Sequence, residues 1–344
     1  MSLRPLRLRL DGSALVSNWR WLRERSAGAA CGAAVKADAY GLGAAAVVEQ
    51  LRGAGCRDFF VATWAEAAAL ERVVDGASLS VLHGIMPGEM EVARASPARP
   101  VLNTPRQVQQ WRQTGRPCDV MIDTGINRLG LSPSDALSGM LGGLQIDTLM
   151  SHLACADEDV PANARQRAAF VEVAERVRAR RRSLANSAGI CLGRDYAFDL
   201  TRPGLALYGG IARGEASGGI AQVVRVEARV VQRRRVAAGQ SVGYNATFTA
   251  ERPCEVAVLN IGYADGYLRG FSGTGEALVD GAVLPVIGRV SMDLTAIRVD
   301  AAPQLREGDW VEMSFDLPTA AAQSGLSQYE LLTTMGCRSE RVWS

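Results

Sequence analysis

The amino-acid sequence predicts an α/β chain: an N-terminal (β/α)8 barrel of the TIM type followed by a mainly-β C-terminal domain. Two observations support this prediction. Before about Gly214, eight short apolar runs of strand length alternate with segments of helical character; after it, β-branched or alternating runs are separated by glycine and proline. Because strand–helix alternation produces parallel pairing, eight such units close most naturally into a barrel.

Length and composition indicate a two-domain protein. The chain has 344 residues, more than a typical single domain, and 48% of them are hydrophobic, which is enough for sizeable cores. We expect a barrel domain over 10–213 and a β domain over 214–344, and we assign the N-terminal strand 3–9 to the β domain. The formal net charge of +2 argues against a nucleic-acid partner.

The cysteines and the N-terminus favour a cytoplasmic location. Seven cysteines are present, an odd number without a CxxC pair, which is typical of free thiols in a reducing compartment. The first residues mix arginines with leucines and lead into no long apolar segment. We therefore expect neither a signal peptide nor a membrane span.

The predicted barrel strands follow the apolar runs in order. They are 32–37, 58–63, 79–84, 100–102, 119–123, 148–152, 183–187 and 199–203, the fourth being the weakest because it is short and begins with proline. The helical segments between them are 44–53, 65–74, 88–95, 105–115 and 162–181. The arginine-dense run 176–182 continues the last helical pattern and predicts a solvated helix face.

Polar residues follow these strands, where the catalytic groups of such barrels lie. These polar residues, which include both histidines of the chain, are Lys36, Tyr40, His83, Asp123, Arg128, His152, Asn186, Ser187 and Arg202. A lone histidine is more often structural, but two on one predicted face favour a function. Cysteine and histidine spacings suggest no metal site, and neither a GxSxG nor a GxxxxGK[ST] motif is present.

Lys36 is the only lysine among the 38 lysine and arginine residues. An amine differs from a guanidinium because it loses its proton when desolvated and condenses with an aldehyde to form an imine. Beyond the seventh and eighth strands, the Ser187 hydroxyl and the N–H groups near Gly204 and Leu205 suit a phosphate. Together these features favour a phosphorylated aldehyde cofactor, of which pyridoxal 5′-phosphate is the usual one.

The second half of the chain contains the strands of the β domain. The predicted strands are 223–231, 255–261, 276–279, 282–287, 295–299 and 309–313, with a last helix at 327–335; the alternating run 6–10 also suits this domain. Three stretches are unusually polar and aromatic for plain sheet: VGYNATFTA, IGYADGY and GRVSMD. Tyrosines placed in this way suggest that the β domain faces a catalytic site.

Eight motifs in order then give a family resemblance. They are AVKADAYGLG, DTGINRLG, a strand ending in histidine followed by ADE, NSAG, RPGLALYG, VGYNATFTA, IGYADGY and GRVSMD. The chain resembles the alanine racemase family from about residue 6 to its end. The resemblance implies an enzyme that uses pyridoxal phosphate, with a barrel and a β domain. It also implies a head-to-tail homodimer in which the partner's β domain completes each site.

The resemblance also implies a role for each matching residue. Lys36 would hold the cofactor as an internal aldimine and act as one base, and Tyr244 of the partner subunit would be the opposite base. The phosphate would be bound by Tyr40, Ser187, Gly204, Leu205 and Tyr329. Arg202 would hydrogen-bond the pyridine nitrogen with support from His152, which would also support Tyr244. Arg128 and the Met292 N–H would receive the substrate carboxylate, and Tyr263 and Arg289 would line the access channel.

This chemistry suits racemisation of L- and D-alanine on the external aldimine, since inversion needs two bases on opposite faces of a planar carbon. An arginine beside the pyridine nitrogen keeps that nitrogen unprotonated, which limits side reactions. One position departs from the pattern: Met121 stands where many members carry a modified lysine that orients the substrate-binding arginine. This leaves open a broad-specificity or serine racemase. A decarboxylase, or a pyridoxal-phosphate carrier without turnover, fits the residues less well.

Overall fold

The computed structural model describes residues 4–344, which form two compact units. One unit spans residues 14–221. The other contains residues 222–344 together with the N-terminal segment up to Ser13. Residue 3, where the predicted N-terminal strand begins, lies outside the described residues. Strand Leu6–Leu10 pairs antiparallel with Val224–Val236 and therefore belongs to the second unit.

The first unit is a parallel barrel, as predicted. Seven strands pair in chain order: Ala33–Ala34, Asp58–Val61, Ser78–Val81, Arg99–Leu102, Pro117–Met121, Gln145–Met150 and Arg181–Ser183. An eighth strand, Leu200–Thr201, pairs with Ala30–Cys31. Backbone hydrogen bonds from Arg202 to Ala185 (2.8 Å) and from Ala34 to Pro203 (2.9 Å) close the ring. The side chains of Phe60, Val101, Met121, Met150 and Leu200 form an apolar cluster within it.

Helices alternate with these strands, and some of them begin at side-chain caps. The helices of this unit, starting from the one that leads into it, are Gly12–Arg25, Ala44–Ala54, Trp64–Val74, Met90–Ala95, Pro105–Arg112, Pro133–Leu137, Pro161–Arg176, Ser187–Cys191 and Arg194–Ala197, and Lys36–Tyr40 forms a single turn of left-handed backbone. Thr63 and Glu66 form a reciprocal capping box, and Thr104 caps the helix whose first residue is Pro105.

The arginine-dense run 176–182 was predicted as a helix face, and this is wrong. The helix ends at Arg176, and Arg181–Ser183 is the seventh strand, earlier than the predicted 183–187. The physical reason is ion pairing, because Arg181 Nη2 lies 2.7 Å from an Asp58 carboxylate oxygen and 3.1 Å from one of Asp147. These contacts hold the arginine within the barrel sheet rather than on a helix.

The second unit is mainly antiparallel β-structure. Its strands are Leu6–Leu10, Val224–Val236, Ser241–Val242, Phe248–Thr249, Cys254–Leu259, Glu276–Val279, Ala282–Ile287, Thr295–Arg298, Trp310–Met313 and Glu340–Trp343. The long strand Val224–Val236 pairs with both Trp310–Met313 and Cys254–Leu259, which closes a six-stranded barrel. Helices Leu317–Ser324 and Gln328–Thr333 follow. Over residues 4–344, no helix is both long and apolar enough to cross a membrane.

Candidate active site

Lys36 follows the first barrel strand directly and lies half-buried. Burial and the nearby Arg128 guanidinium lower the pKa of its amine, while Glu66 opposes the shift. Within residues 4–344, the Lys36 Nζ makes neither a hydrogen bond nor an ion pair. A desolvated amine with a lowered pKa and no competing partner is suited to covalent capture of an aldehyde.

The backbone after Lys36 is a left-handed turn, whereas the sequence predicted strand up to residue 37. Residues 37–40 have φ between 52° and 57°, although none of them is glycine. Each such residue costs roughly 1–2 kcal/mol relative to right-handed backbone, so surrounding contacts must impose the turn. Hydrogen bonds from Gly41 N–H to Ala37 C=O (2.8 Å) and from Gly43 N–H to Asp38 C=O (2.9 Å) help to do so.

Two of the predicted phosphate-binding residues pack directly against each other. A Cβ built at Gly204 would lie 2.3 Å from the Tyr40 hydroxyl oxygen, so only glycine fits beside that hydroxyl. Ser187 Oγ, which is buried, accepts hydrogen bonds from the N–H groups of Gly204 (2.9 Å) and Ala206 (3.2 Å). The Leu205 N–H has no acceptor among the described residues. The Leu205 N–H and the hydrogen of the Ser187 hydroxyl are therefore the donors that these residues leave for the phosphate of pyridoxal phosphate, because the Gly204 N–H already donates to Ser187 Oγ.

Arg202 is buried at the end of the eighth strand and is held from two sides. Its guanidinium donates to Ser183 Oγ and, at 2.6 Å, to the Ser151 carbonyl. Burial lowers the pKa of Arg202 to about 10, which the charge of Asp119 partly opposes. Since about 10 is well above neutral, Arg202 stays cationic and acts as a fixed donor.

His152 lies among positive charges after the sixth strand. Burial, with the charges of Arg202, Arg128 and Lys36, lowers the pKa of its imidazole to about 3. The imidazole makes no hydrogen bond with Arg202 or any other residue of the described chain, and its backbone carbonyl accepts from Gln166 (3.0 Å). His152 is therefore neutral near pH 7 and lies among cationic groups that attract anions.

Arg128 is positioned by its backbone rather than by its side chain. The Asp123 carboxylate accepts hydrogen bonds from the N–H groups of the four residues at 125–128, at 2.9–3.1 Å. Burial opposes its charge, but these bonds outweigh burial and lower the pKa of Asp123. The Arg128 side chain is exposed. Met121 packs in the apolar cluster of the barrel and offers no polar group that could hold the Arg128 guanidinium.

The remaining predicted residues lie in the second unit. Tyr244 is 66% exposed at the tip of the hairpin between Ser241–Val242 and Phe248–Thr249. At the base of this tip, a Cβ at Gly243 would lie 3.2 Å from the Arg289 amide nitrogen. The hairpin tip therefore packs on the loop that carries Arg289.

Met292 offers a free backbone donor in the same region. Its carbonyl accepts from the Ala264 N–H (3.0 Å), while its own N–H has no acceptor among residues 4–344. A Cβ at Gly262 would lie 2.4 Å from the Met292 carbonyl oxygen, which explains the first glycine of the IGYADGY motif. The Tyr263 ring lies 5.2 Å beneath the Arg269 guanidinium, and Tyr329 is 47% exposed on helix Gln328–Thr333.

Sequence reasoning missed Glu66 as a residue of this region. Its carboxylate accepts hydrogen bonds from Ala37 N–H (2.7 Å), the residue after Lys36, and from Ala62 and Thr63 N–H. The signal was present, because Thr63-x-x-Glu66 is a capping-box pattern. The pattern predicts the contact to Thr63 but not the one to Ala37, which depends on the fold of the adjacent loop.

Comparison with known proteins identifies the family to which the chain belongs. Residues 10–212 match the family model for the N-terminal domain of alanine racemase, and residues 223–343 match the one for the C-terminal domain. The chain belongs to the alanine racemase family. The predicted membership and fold class of this family are therefore confirmed.

Individual alanine racemases match over almost the whole chain. The alanine racemase of Methylobacterium nodulans is 44% identical, with 97% of this chain and 95% of the relative covered. The biosynthetic alanine racemase of Agrobacterium fabrum is 41% identical, over 98% of this chain and 94% of its own. The crystal structure of alanine racemase from Bartonella henselae, with covalently bound pyridoxal phosphate, has a TM-score of 0.93, 34% identity and 99% of both chains covered.

Proposed function

We propose that this protein interconverts L-alanine and D-alanine with pyridoxal phosphate as cofactor. The observation that carries the proposal is Lys36, the only lysine, which has a lowered pKa and follows the first barrel strand in a family of alanine racemases. The relatives and solved structures named above support alanine rather than a different amino acid, and they give no support to a carrier without turnover.

When bound, pyridoxal phosphate supplies the electron sink that makes the α-hydrogen of an amino acid acidic. Lys36 would hold the cofactor covalently, and Arg202 would donate a hydrogen bond to its pyridine nitrogen. The phosphate would be bound by Tyr40, Ser187, Gly204, Leu205 and Tyr329. Because Arg202 stays cationic, it does not pass a proton to that nitrogen.

Two bases would exchange the α-proton. The Lys36 amine would take it from or return it to one face of the substrate carbon, and the Tyr244 hydroxyl would do the same on the other. His152, which is neutral, would orient Tyr244 and adds no positive charge beside Arg202. The half-buried position of Lys36 strengthens its electrostatic interactions with the substrate.

The substrate carboxylate would bind between a charge and a backbone donor. Arg128 would supply the charge, and the Met292 N–H, which has no acceptor in the described chain, would supply the donor. Tyr263 and Arg289 would line the access channel. A carboxylate held at two points fixes the α-hydrogen between the bases, which is the main requirement for fast exchange.

The quaternary arrangement is part of the proposal. The barrel domain, 10–213, would bind the cofactor, and the β domain, 214–344 with strand 3–9, would supply Tyr244 to the other subunit of a homodimer. Tyr244 and Met292 are both exposed, so their side chains are accessible to the site of a partner subunit, as this arrangement requires. The enzyme would act in the cytoplasm and provide D-alanine for the cell wall.

Turnover in deuterated water tests the reaction. With pyridoxal phosphate and a single enantiomer, both L- and D-alanine should gain deuterium at the α-carbon and converge on a racemate, followed by NMR and chiral chromatography. If serine exchanged its α-hydrogen faster than alanine, serine and not alanine would be the principal substrate. Loss of the carboxylate would indicate a decarboxylase, and no exchange with any amino acid would refute the enzyme.

A further inference from the structure

Three helices of the barrel unit bridge pairs of neighbouring loops through one side chain each. Gln107, on helix Pro105–Arg112, accepts from Asn103 N–H (2.7 Å) and donates to the carbonyls of His83 (3.3 Å) and Ile85 (3.1 Å). Its amide thereby connects the loops after the fourth and third strands. Gln166 connects the loops after the sixth and fifth strands through Ala154, His152 and Thr124.

Glu66 occupies the corresponding place between the loops after the second and first strands. One carboxylate oxygen accepts from Ala62 N–H (2.6 Å) and Thr63 N–H (3.1 Å), and the other accepts from Ala37 N–H (2.7 Å). All three partners are donors, whereas Gln107 and Gln166 each contact both donors and acceptors. A carboxylate satisfies three N–H groups, but an amide would direct its own NH2 group at one of them.

The loop that Glu66 holds is the one that carries the predicted cofactor-binding lysine. Ala37 is the first residue of the left-handed turn at 37–40, which begins beside Lys36 and ends at Tyr40. Such a turn of non-glycine residues persists only where surrounding contacts impose it. The bond from Ala37 N–H to Glu66 fixes the start of the turn, so it constrains both the Lys36 amine and the Tyr40 hydroxyl.

The charge of Glu66 also matters at Lys36. The groups that influence this amine are Arg128, after the fifth strand, and His152, after the sixth, together with Glu66. Burial and Arg128 lower the pKa of Lys36, His152 is neutral, and Glu66 raises the pKa. Removing the negative charge is therefore expected to lower the pKa of Lys36 further.

We propose that Glu66 is a positioning residue for the cofactor lysine: its carboxylate fixes the left-handed turn after Lys36 and supplies the negative charge that balances the cationic barrel mouth. The proposal rests on the proposed function only in taking Lys36 as the cofactor lysine. Gln107 and Gln166 occupy the corresponding positions on their helices. The loops that they connect carry no lysine, and their side chains are uncharged.

The test compares Glu66→Gln with Gln107→Glu, which exchanges the same two groups at a loop pair without Lys36. Because Lys36 is the only lysine, reductive methylation of the cofactor-free full chain with 13C-formaldehyde gives one lysine resonance, whose pH titration reports the amine directly. We expect the Lys36 pKa to fall in Glu66→Gln and to stay at the parent value in Gln107→Glu. We also expect pyridoxal phosphate to bind about tenfold more weakly in Glu66→Gln, the cost of one charged hydrogen bond.

Glu66→Asp separates charge from position and carries the test should Glu66→Gln not fold. The shorter side chain keeps the charge but withdraws from Ala37 N–H, so cofactor binding should weaken while the Lys36 pKa stays nearer the parent value. Unchanged cofactor binding in Glu66→Asp, or an unchanged Lys36 titration in Glu66→Gln, would overturn the proposal. The amine titration needs no turnover, so its result is independent of whether alanine is the substrate.

Discussion

Gly204 and Tyr40 are packed so closely that a Cβ at Gly204 would lie 2.3 Å from the Tyr40 hydroxyl oxygen. Gly204→Ala should therefore displace the Tyr40 side chain, with an overpacking cost of about 1–3 kcal/mol. We expect weaker retention of pyridoxal phosphate, measured by the visible absorbance of the protein after dialysis. Gly53→Ala, in an open helical site, should leave retention unchanged and raise stability by up to about 1 kcal/mol. Equal retention in both variants would refute a Tyr40–Gly204 phosphate cradle.

The proposed homodimer with shared sites predicts complementation between two defective chains. Lys36→Ala and Tyr244→Phe should each show strongly impaired racemisation, because each lacks one of the two proposed bases. Coexpressed heterodimers, purified by two different tags, should regain a substantial part of the activity, since one of their two sites carries both native groups. Purified heterodimers without restored activity would show that Tyr244 does not serve the partner's site.

The apolar surroundings of Met121 predict that a lysine at this position would destabilise the folded barrel. Met121→Lys would place an amine among Phe60, Val101, Met150 and Leu200, and we expect a loss of about 3 kcal/mol or more in the free energy of unfolding in urea. Met121→Leu preserves volume and polarity and should cost less than about 1.5 kcal/mol. Equal stability of the two variants would show that a polar route exists from position 121 to solvent.

The lowered pKa of His152 predicts that the folded protein loses stability in acid. Its pKa falls from 6.5 to about 3 in the folded chain, so the unfolded chain binds the proton more tightly. The stability from the neutral imidazole is complete above about pH 6.5 and is lost as pH falls towards 3. Between about pH 6.5 and 3, the free energy of unfolding of the parent protein, measured by urea unfolding, should fall more steeply with decreasing pH than that of His152→Asn. The difference between the two slopes should reach up to about 1.4 kcal/mol per pH unit. Parallel curves would show that His152 is readily protonated in the folded chain.

The sequence predicted the architecture because hydrophobic periodicity records which faces are buried. The barrel strands, the antiparallel strands of the second unit and the position of Lys36 all followed from that pattern and from residue chemistry. Family membership followed from eight motifs in order, and the comparisons confirm it. The assignments of individual site residues remain predictions that the variants above test.

The failures have a common physical cause, because each depends on a contact between distant parts of the chain. Nothing local distinguishes Arg181, held in a strand by Asp58 and Asp147, from an arginine on a solvated helix. The left-handed turn at 37–40 contains no glycine, so local propensity gives no sign of it. Strand Glu340–Trp343 was missed because its partner, Leu6–Leu10, lies at the opposite end of the chain.

This last pairing has a consequence for biosynthesis. Leu6–Leu10 lies between Val224–Val236 and Glu340–Trp343, so it acquires its second neighbour only after a segment far along the chain has been translated. Until then one edge of that strand exposes unpaired backbone groups, which favour association with other chains. A nascent chain that stalls before Glu340–Trp343 is made would therefore carry an open strand edge, and the pairing of that strand with Leu6–Leu10, not closure of the six-stranded barrel, would complete this sheet.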